Sequence, residues 1–121
     1  VSALGRAYLA FCPEEERRLI LAVLRNSKAA MNAQARDEKY VSSMLAAIRK
    51  RGYATTAPMR GDPAMGLAVP VVEGEKVTAC ITMRYLGSTM NEAQAAERYL
   101  IPMQRAASSI AAAHARLVSA A

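Results

Sequence analysis

Val1-Ser2-Ala3-Leu4-Gly5-Arg6-Ala7-Tyr8-Leu9-Ala10-Phe11-Cys12-Pro13-Glu14-Glu15-Glu16 decides how this chain begins to fold. Ser2 is a predicted N-cap, its hydroxyl placed to accept an amide of the first helical turn. Leu4, Ala7, Tyr8 and Phe11 follow at i, i+3, i+4 and i+7, one face of a helix. Pro13 reads as the first position of a second helix, already at the φ a helix needs. Glu14, Glu15 and Glu16 fall in its first turn, where negative charge is favoured. Arg17 and Arg18 stand three and four residues after Glu14 and add minor support. Leu19, Ile20, Val23 and Leu24 form the predicted buried stripe, and the helix fades near Asn26.

Working outward, Asp37 caps a third predicted helix whose stripe is Tyr40, Val41, Met44, Leu45 and Ile48. Gly52 stops it where a left-handed residue is wanted. The dense cluster Arg49-Lys50-Arg51 offsets the dipole of that last turn. Tyr53 to Thr56 reads as a short strand and Ala57 to Met65 as a loop. Gly66 to Val72 and Val77 to Tyr85 are β-prone runs joined by Glu73-Gly74-Glu75-Lys76, which is hairpin chemistry. Pro70 within the first run predicts an edge strand or a bulge. Asn91 with Gln94 predicts a capping box opening a last helix that runs to about Leu117. Ala96, Met103, Ile110 and Leu117 recur in it every seven residues, flanked by Ala93, Leu100 and Ala107, and Pro102 should kink it. Helices around a small antiparallel sheet give an α+β domain.

Composition narrows the function classes. A chain of 121 residues holds one core, and 53% apolar residues argue against disorder. No run approaches the roughly 20 apolar residues that span a bilayer, and the start shows no signal peptide. Two cysteines, Cys12 and Cys80, make no disulfide framework and read as reduced thiols of a cytoplasmic protein. The net charge of +6 is dispersed rather than gathered into a nucleic-acid stripe.

Four strings in order carry a resemblance: Ser-Ala-Leu-Gly-Arg-Ala-Tyr-Leu-Ala from Ser2, Pro13-Glu14-Glu15-Glu16, Arg49-Lys50-Arg51-Gly52-Tyr53, and Gly66-Leu67-Ala68-Val69-Pro70-Val71. Together they resemble the effector-binding domain of IclR-family bacterial transcription factors, from Ser2 to about Leu117. The resemblance implies a GAF-like α+β domain that binds a small organic acid, assembles as a homodimer or tetramer, and needs no cofactor. It implies DNA binding only through an N-terminal winged helix-turn-helix, which this sequence does not carry. It also implies strands preceding the Ser-Ala-x-Gly segment, so residues 1–121 read as a truncated effector domain. Arg-Ala-Tyr-Leu-Ala-Phe-Cys-Pro, with Arg84 and Tyr85, looks most like the subgroup of activators controlling hydroxyphenylpropionate and other aromatic-acid catabolism.

Three places supply candidate ligand contacts. The amides of Ala3, Leu4 and Gly5 have no intrahelical acceptor, and a helix start of this kind attracts a carboxylate; capping by Ser2 and water is the plainer reading, and the resemblance favours the acid. Alternation places Cys80, Thr82 and Arg84 on one face of the second β run. Relatives carry small hydroxyl residues at the Thr82 and Arg84 positions; Arg84 departs from that pattern. It either holds a carboxylate with its planar fork or reaches solvent at a strand end, and both readings stand. Thr55, Thr56, Met59, Met65 and Gly66 form the third place, where relatives line their pocket; a family acidic residue near Thr56-Ala57 is absent here. Seven methionines suit an adaptable pocket or plain core filling, and Met44 and Met103 read as filling.

An enzyme is not predicted. His114 has no acidic neighbour at helical spacing and reads as a surface or interface residue. Cys12 at a helix start sits beside three glutamates, which disfavour a reactive thiolate. No metal-ligand spacing, phosphate loop or nucleophile elbow appears. The alternative to a ligand sensor is an assembly module whose cavity has no function.

Overall fold

The computed structural model describes residues 2–56 and 61–120. Two helices, α1 (Ala3–Phe11) and α2 (Glu14–Asn26), are followed by a 3-10 segment (Ala30–Arg36) and α3 (Glu38–Arg51). Strands β1 (Ala54–Thr56), β2 (Ala64–Glu73) and β3 (Lys76–Leu86) then lead into α4 (Glu92–Ala120). The sheet is antiparallel in the order β1-β2-β3. One sheet face carries α1 to α3 and the other carries α4, so the α+β arrangement is three layers deep.

Local chemistry sets the boundaries. The Ser2 hydroxyl accepts the Gly5 amide at 3.1 Å, and the Asp37 carboxylate accepts the Tyr40 amide at 3.0 Å. Gly52 ends α3 at φ 86°, a conformation that costs a residue with a Cβ. Asn91 and Gln94 exchange side-chain and backbone bonds in both directions at 2.8 and 2.9 Å, a complete capping box. The hairpin closes through Gly74-Glu75, with Glu73 opposite Lys76.

Periodicity locates the two cores. Ala54, Ala68 and Cys80 turn toward α1, α2 and α3, where Ala7, Ala10, Leu21, Val41, Leu45 and Ile48 fill the space. Leu67, Val69, Val71 and Tyr85 turn the other way onto Ala95, Met103 and Ala107 of α4. Met103 is core, as its spacing suggests, and Met44 packs at the edge of the α3 side.

Several predicted faces are rotated. The buried residues of α1 are Ala3, Ala7, Leu9 and Ala10, whereas Leu4 is 43% exposed. Small residues let the α1 backbone approach the sheet closely, and Leu4 is turned to the flank. In α2 only Leu21 is fully buried, and Leu19 and Val23 are 66% and 70% exposed. In α4 the buried line is Ala95, Met103 and Ala107, while Ile110 and Leu117 are exposed. A strict seven-residue spacing drifts about 20° per repeat around a straight helix, and among the described residues nothing beyond Ala111 is buried. Helix α4 runs unbroken through Pro102. Pro70 lies in the central strand, not an edge strand. However, β1 pairs β2 only from Gly66 to Ala68, so β2 is locally an edge at Pro70, one residue before a bulge at Val71/Val72. The loop predicted to reach Met65 ends earlier, since β2 starts at Ala64.

The charged residues around α1 do more than tune their own helices. Arg17 donates through Nε to the Leu9 carbonyl at 2.7 Å and through Nη2 to those of Cys12 at 2.6 Å and Ala10 at 3.4 Å. Arg49 crosses from α3 to donate to the Ala10 carbonyl at 2.8 Å. These carbonyls are orphans of the α1 C-terminus, where cations are favoured. Arg51 turns the other way, to the Tyr53 carbonyl at 2.8 Å and the Thr55 hydroxyl at 3.3 Å, and lies over the Tyr53 ring. Replacing Arg17 with Ala should therefore lower the unfolding free energy by about 2 kcal/mol, the scale of charged hydrogen bonds in a half-buried setting. Urea denaturation checks this, with a lower midpoint and an unchanged slope expected; an unmoved midpoint contradicts the clamp.

Candidate functional site

Fixing α1 at its C-terminal end sets where its N-terminal end points. That end opens into a cavity of about 400 Å³ between α1 and the sheet. Helix α1 contributes Ala3 and Leu4, with the cap Ser2 beside them; β1 contributes Thr56; β2 contributes Ala64, Met65 and Gly66; β3 contributes Thr82 and Arg84; and Asp62 stands before β2. The lining is mainly apolar with few polar groups, the usual make-up of a small-molecule site.

Strand pairing explains why distant residues meet here. Thr56 lies opposite Gly66 and Gly66 opposite Arg84, and Ala68 lies opposite Thr82, so one sheet face gathers these side chains under α1. Gly66 is required by space, because a Cβ there would lie 2.8 Å from Thr56 Oγ1 and 3.0 Å from the Ala3 Cβ. The glycine thus lets the start of α1 sit almost against the strand.

Of nine residues singled out from sequence, seven line this cavity: Ala3, Leu4, Thr56, Met65, Gly66, Thr82 and Arg84. Gly5 does not, and its amide is already taken by the Ser2 hydroxyl. Ala3 and Leu4 keep amides with no intrahelical acceptor. Met59 lies outside the described residues. Thr55, grouped with them in the sequence, is buried and turned to Arg51 instead.

Asp62 was not legible as a site residue. Its carboxylate accepts from Arg84 Nη2 at 2.7 Å and from the Ala64 amide at 3.0 Å. The Ala64 amide first, and Arg84 with it, hold the Asp62 carboxyl below the usual carboxylate range. Arg84 therefore neither stretches into solvent alone nor faces the cavity unpaired. Both side chains are more than half exposed, so the pair is a weak one. The register sets Gly66 opposite Arg84 and Ala64 opposite Leu86, so Asp62 reaches Arg84 from two residues before the start of β2.

Groups outside the cavity show little chemistry. The Cys12 and Cys80 thiols are free, and burial pushes both pKa values up, away from a reactive thiolate. The Tyr8 hydroxyl donates to Glu16, and that bond, with burial, pushes it up to about 12. His114 does have an acidic partner: Nδ1 lies 2.8 Å from both Glu73 oxygens, across from the hairpin. Among the described residues no three His, Cys, Asp or Glu side chains gather as a metal site, and no helix is long and apolar enough to cross a membrane.

Helices on both faces of a small antiparallel sheet place the chain in the α+β class. The chain matches the family described as bacterial transcriptional regulator IclR C-terminal over residues 1–112, and it belongs to that family. It is similar in structure to IclR of Thermotoga maritima, with TM-score 0.73 and 24% identity over 91% of this chain and 44% of that one. A transcriptional regulator C-terminal domain from Vibrio cholerae matches with TM-score 0.68 and 20% identity, over 88% of this chain and 60% of that one. The PobR inducer-binding domain from Acinetobacter, a double mutant in complex with 3-hydroxybenzoic acid, matches with TM-score 0.63 and 16% identity. That match covers 91% of this chain and 65% of the other. The chain thus spans less than two thirds of the length of each of these three, and at these identities the likeness is one of fold. Family and neighbours are transcriptional regulators, not enzymes.

Gly66→Ala should destabilise the domain by roughly 1–3 kcal/mol through overpacking. Adding Thr56→Ala should recover part of the loss, because the nearest clash is with that hydroxyl. Thermal unfolding of the single and double variants reads this, and a neutral Gly66→Ala would mean the α1 start does not sit so close.

Proposed function

We propose that residues 1–121 are a ligand-sensing and self-assembling domain of a cytoplasmic transcriptional regulator, and that the ligand is a small, aromatic, carboxylic acid. The whole regulator would reach DNA through a winged helix-turn-helix outside this sequence and control a catabolic operon. The observation that carries this reading is the gathering of the α1 start, with Ala3 and Leu4, and of Thr82 and Arg84 around one largely apolar cavity. Amides at a helix start favour an anion, and a guanidinium offers a bidentate partner. Leu4 and Met65 give the ring apolar cover, and about 400 Å³ accommodates a single substituted benzene ring with a short acid tail. The 3-hydroxybenzoic acid held by the structurally similar PobR domain belongs to the same chemical class.

In this reading the acid favours one conformational population of the assembly over another. Exposed Ile110, Leu117 and Val118 on the outer turns of α4 suit burial against another copy, as dimer or tetramer.

Thermal unfolding with benzoate, 3-hydroxybenzoate, 3-(3-hydroxyphenyl)propionate and acetate tests the reading. Stabilisation by an aromatic acid should grow with concentration, reaching about 2.7 kcal/mol at a hundredfold excess over Kd. Arg84→Ala should weaken binding by about 1–2 kcal/mol, less than for a buried ion pair because Arg84 is partly solvated. A flat response across the panel leaves an assembly module as the function.

A further inference from the structure

We infer that Asp62 makes this cavity selective for monocarboxylates over dicarboxylates; the inference rests on the acid-binding reading above. Among the described residues that line the cavity, Arg84 and Asp62 are the only cation and anion, and they are paired at 2.7 Å. Their formal charges cancel, so the cavity offers a ligand one anion-attracting pole, the start of α1, plus whatever part of the Arg84 fork Asp62 leaves free. The other Asp62 oxygen accepts from the Ala64 amide at 3.0 Å, a second tether that favours its present place. That bond also helps hold its carboxyl ionised at neutral pH.

One ligand carboxylate therefore meets the amides of Ala3 and Leu4, and nothing repels it strongly. A second carboxylate on the same ring would come to lie near a fixed negative charge whose counter-ion is already engaged. Like charges a few ångströms apart disfavour one another even at the high effective dielectric of a protein surface. Arg84 is thus accompanied by a built-in carboxylate that limits what it accepts.

The test compares 3-hydroxybenzoate with benzene-1,3-dicarboxylate, which differ in charge at one ring position, by calorimetric titration of the wild type, Asp62→Asn and Asp62→Glu. The wild type should prefer 3-hydroxybenzoate. Asp62→Asn should raise dicarboxylate affinity by about three- to tenfold, the effect expected when one nearby, partly screened charge is removed. Asp62→Glu should keep the wild-type preference, and the Asn effect should shrink in 1 M salt, where the Debye length is about 3 Å. Unchanged dicarboxylate affinity in a folded Asp62→Asn protein overturns the inference. So does a loss confined to 3-hydroxybenzoate, which would make Asp62 an acceptor for the ligand hydroxyl instead. Binding of neither acid by any of the three proteins, with folding confirmed by circular dichroism, overturns the acid-binding reading itself.

Discussion

Two guanidinium groups hold the end of one short helix, and the rest of the site depends on that grip. Arg17 and Arg49 together bond the Leu9, Ala10 and Cys12 carbonyls. A nine-residue helix is too short to be stable by itself. Arg17 fastens it to α2 and Arg49 to α3, while Ala3, Ala7 and Ala10 seat it on the sheet. With its C-terminal end tied and its buried face made of alanines, the helix has little freedom left in tilt or register. Its N-terminal amides then face a fixed place over β2 and β3.

The cavity follows from that placement combined with sheet register. Gly66 allows the close approach, and the ladder Thr56–Gly66–Arg84 sets the floor. On the opposite sheet face the same strands carry Leu67, Val69 and Tyr85 into the α4 core. β2 and β3 therefore divide their residues, alternately, between a cavity-facing surface and a load of ordinary packing. Met65 belongs to both, packing on the α4 side while bordering the cavity.

Much of this was readable in the residues, and the physical reason is that the legible features are local. Ser2, Asp37, Gly52 and the Asn91/Gln94 box act within one helical turn, and strand alternation in β3 needs only a period of two. What was misread depends on which neighbour an element meets. Leu19 and Val23 fit an amphipathic stripe as well as Leu21 does, yet α2 touches the core along a line centred on Leu21. Arg49 looks like a helix-end charge for α3 until α1 is seen across from it. The Asp62–Arg84 and Glu73–His114 pairs join residues 22 and 41 apart in sequence, beyond any periodic signal. All nine site candidates drew on the family resemblance beside a local signal in the residues. Asp62 was missed because nothing within its loop marks it as a partner of β3.

The central claim is that the start of a clamped α1, together with the facing strands, forms the acceptor for an aromatic acid. Amide chemical-shift mapping of the isotope-labelled domain during titration with 3-hydroxybenzoate tests it most directly. Saturable shifts should concentrate on Ala3, Leu4, Met65, Gly66, Thr82 and Arg84. Shifts that stay absent at saturating acid, or that gather on the outer turns of α4, would contradict it.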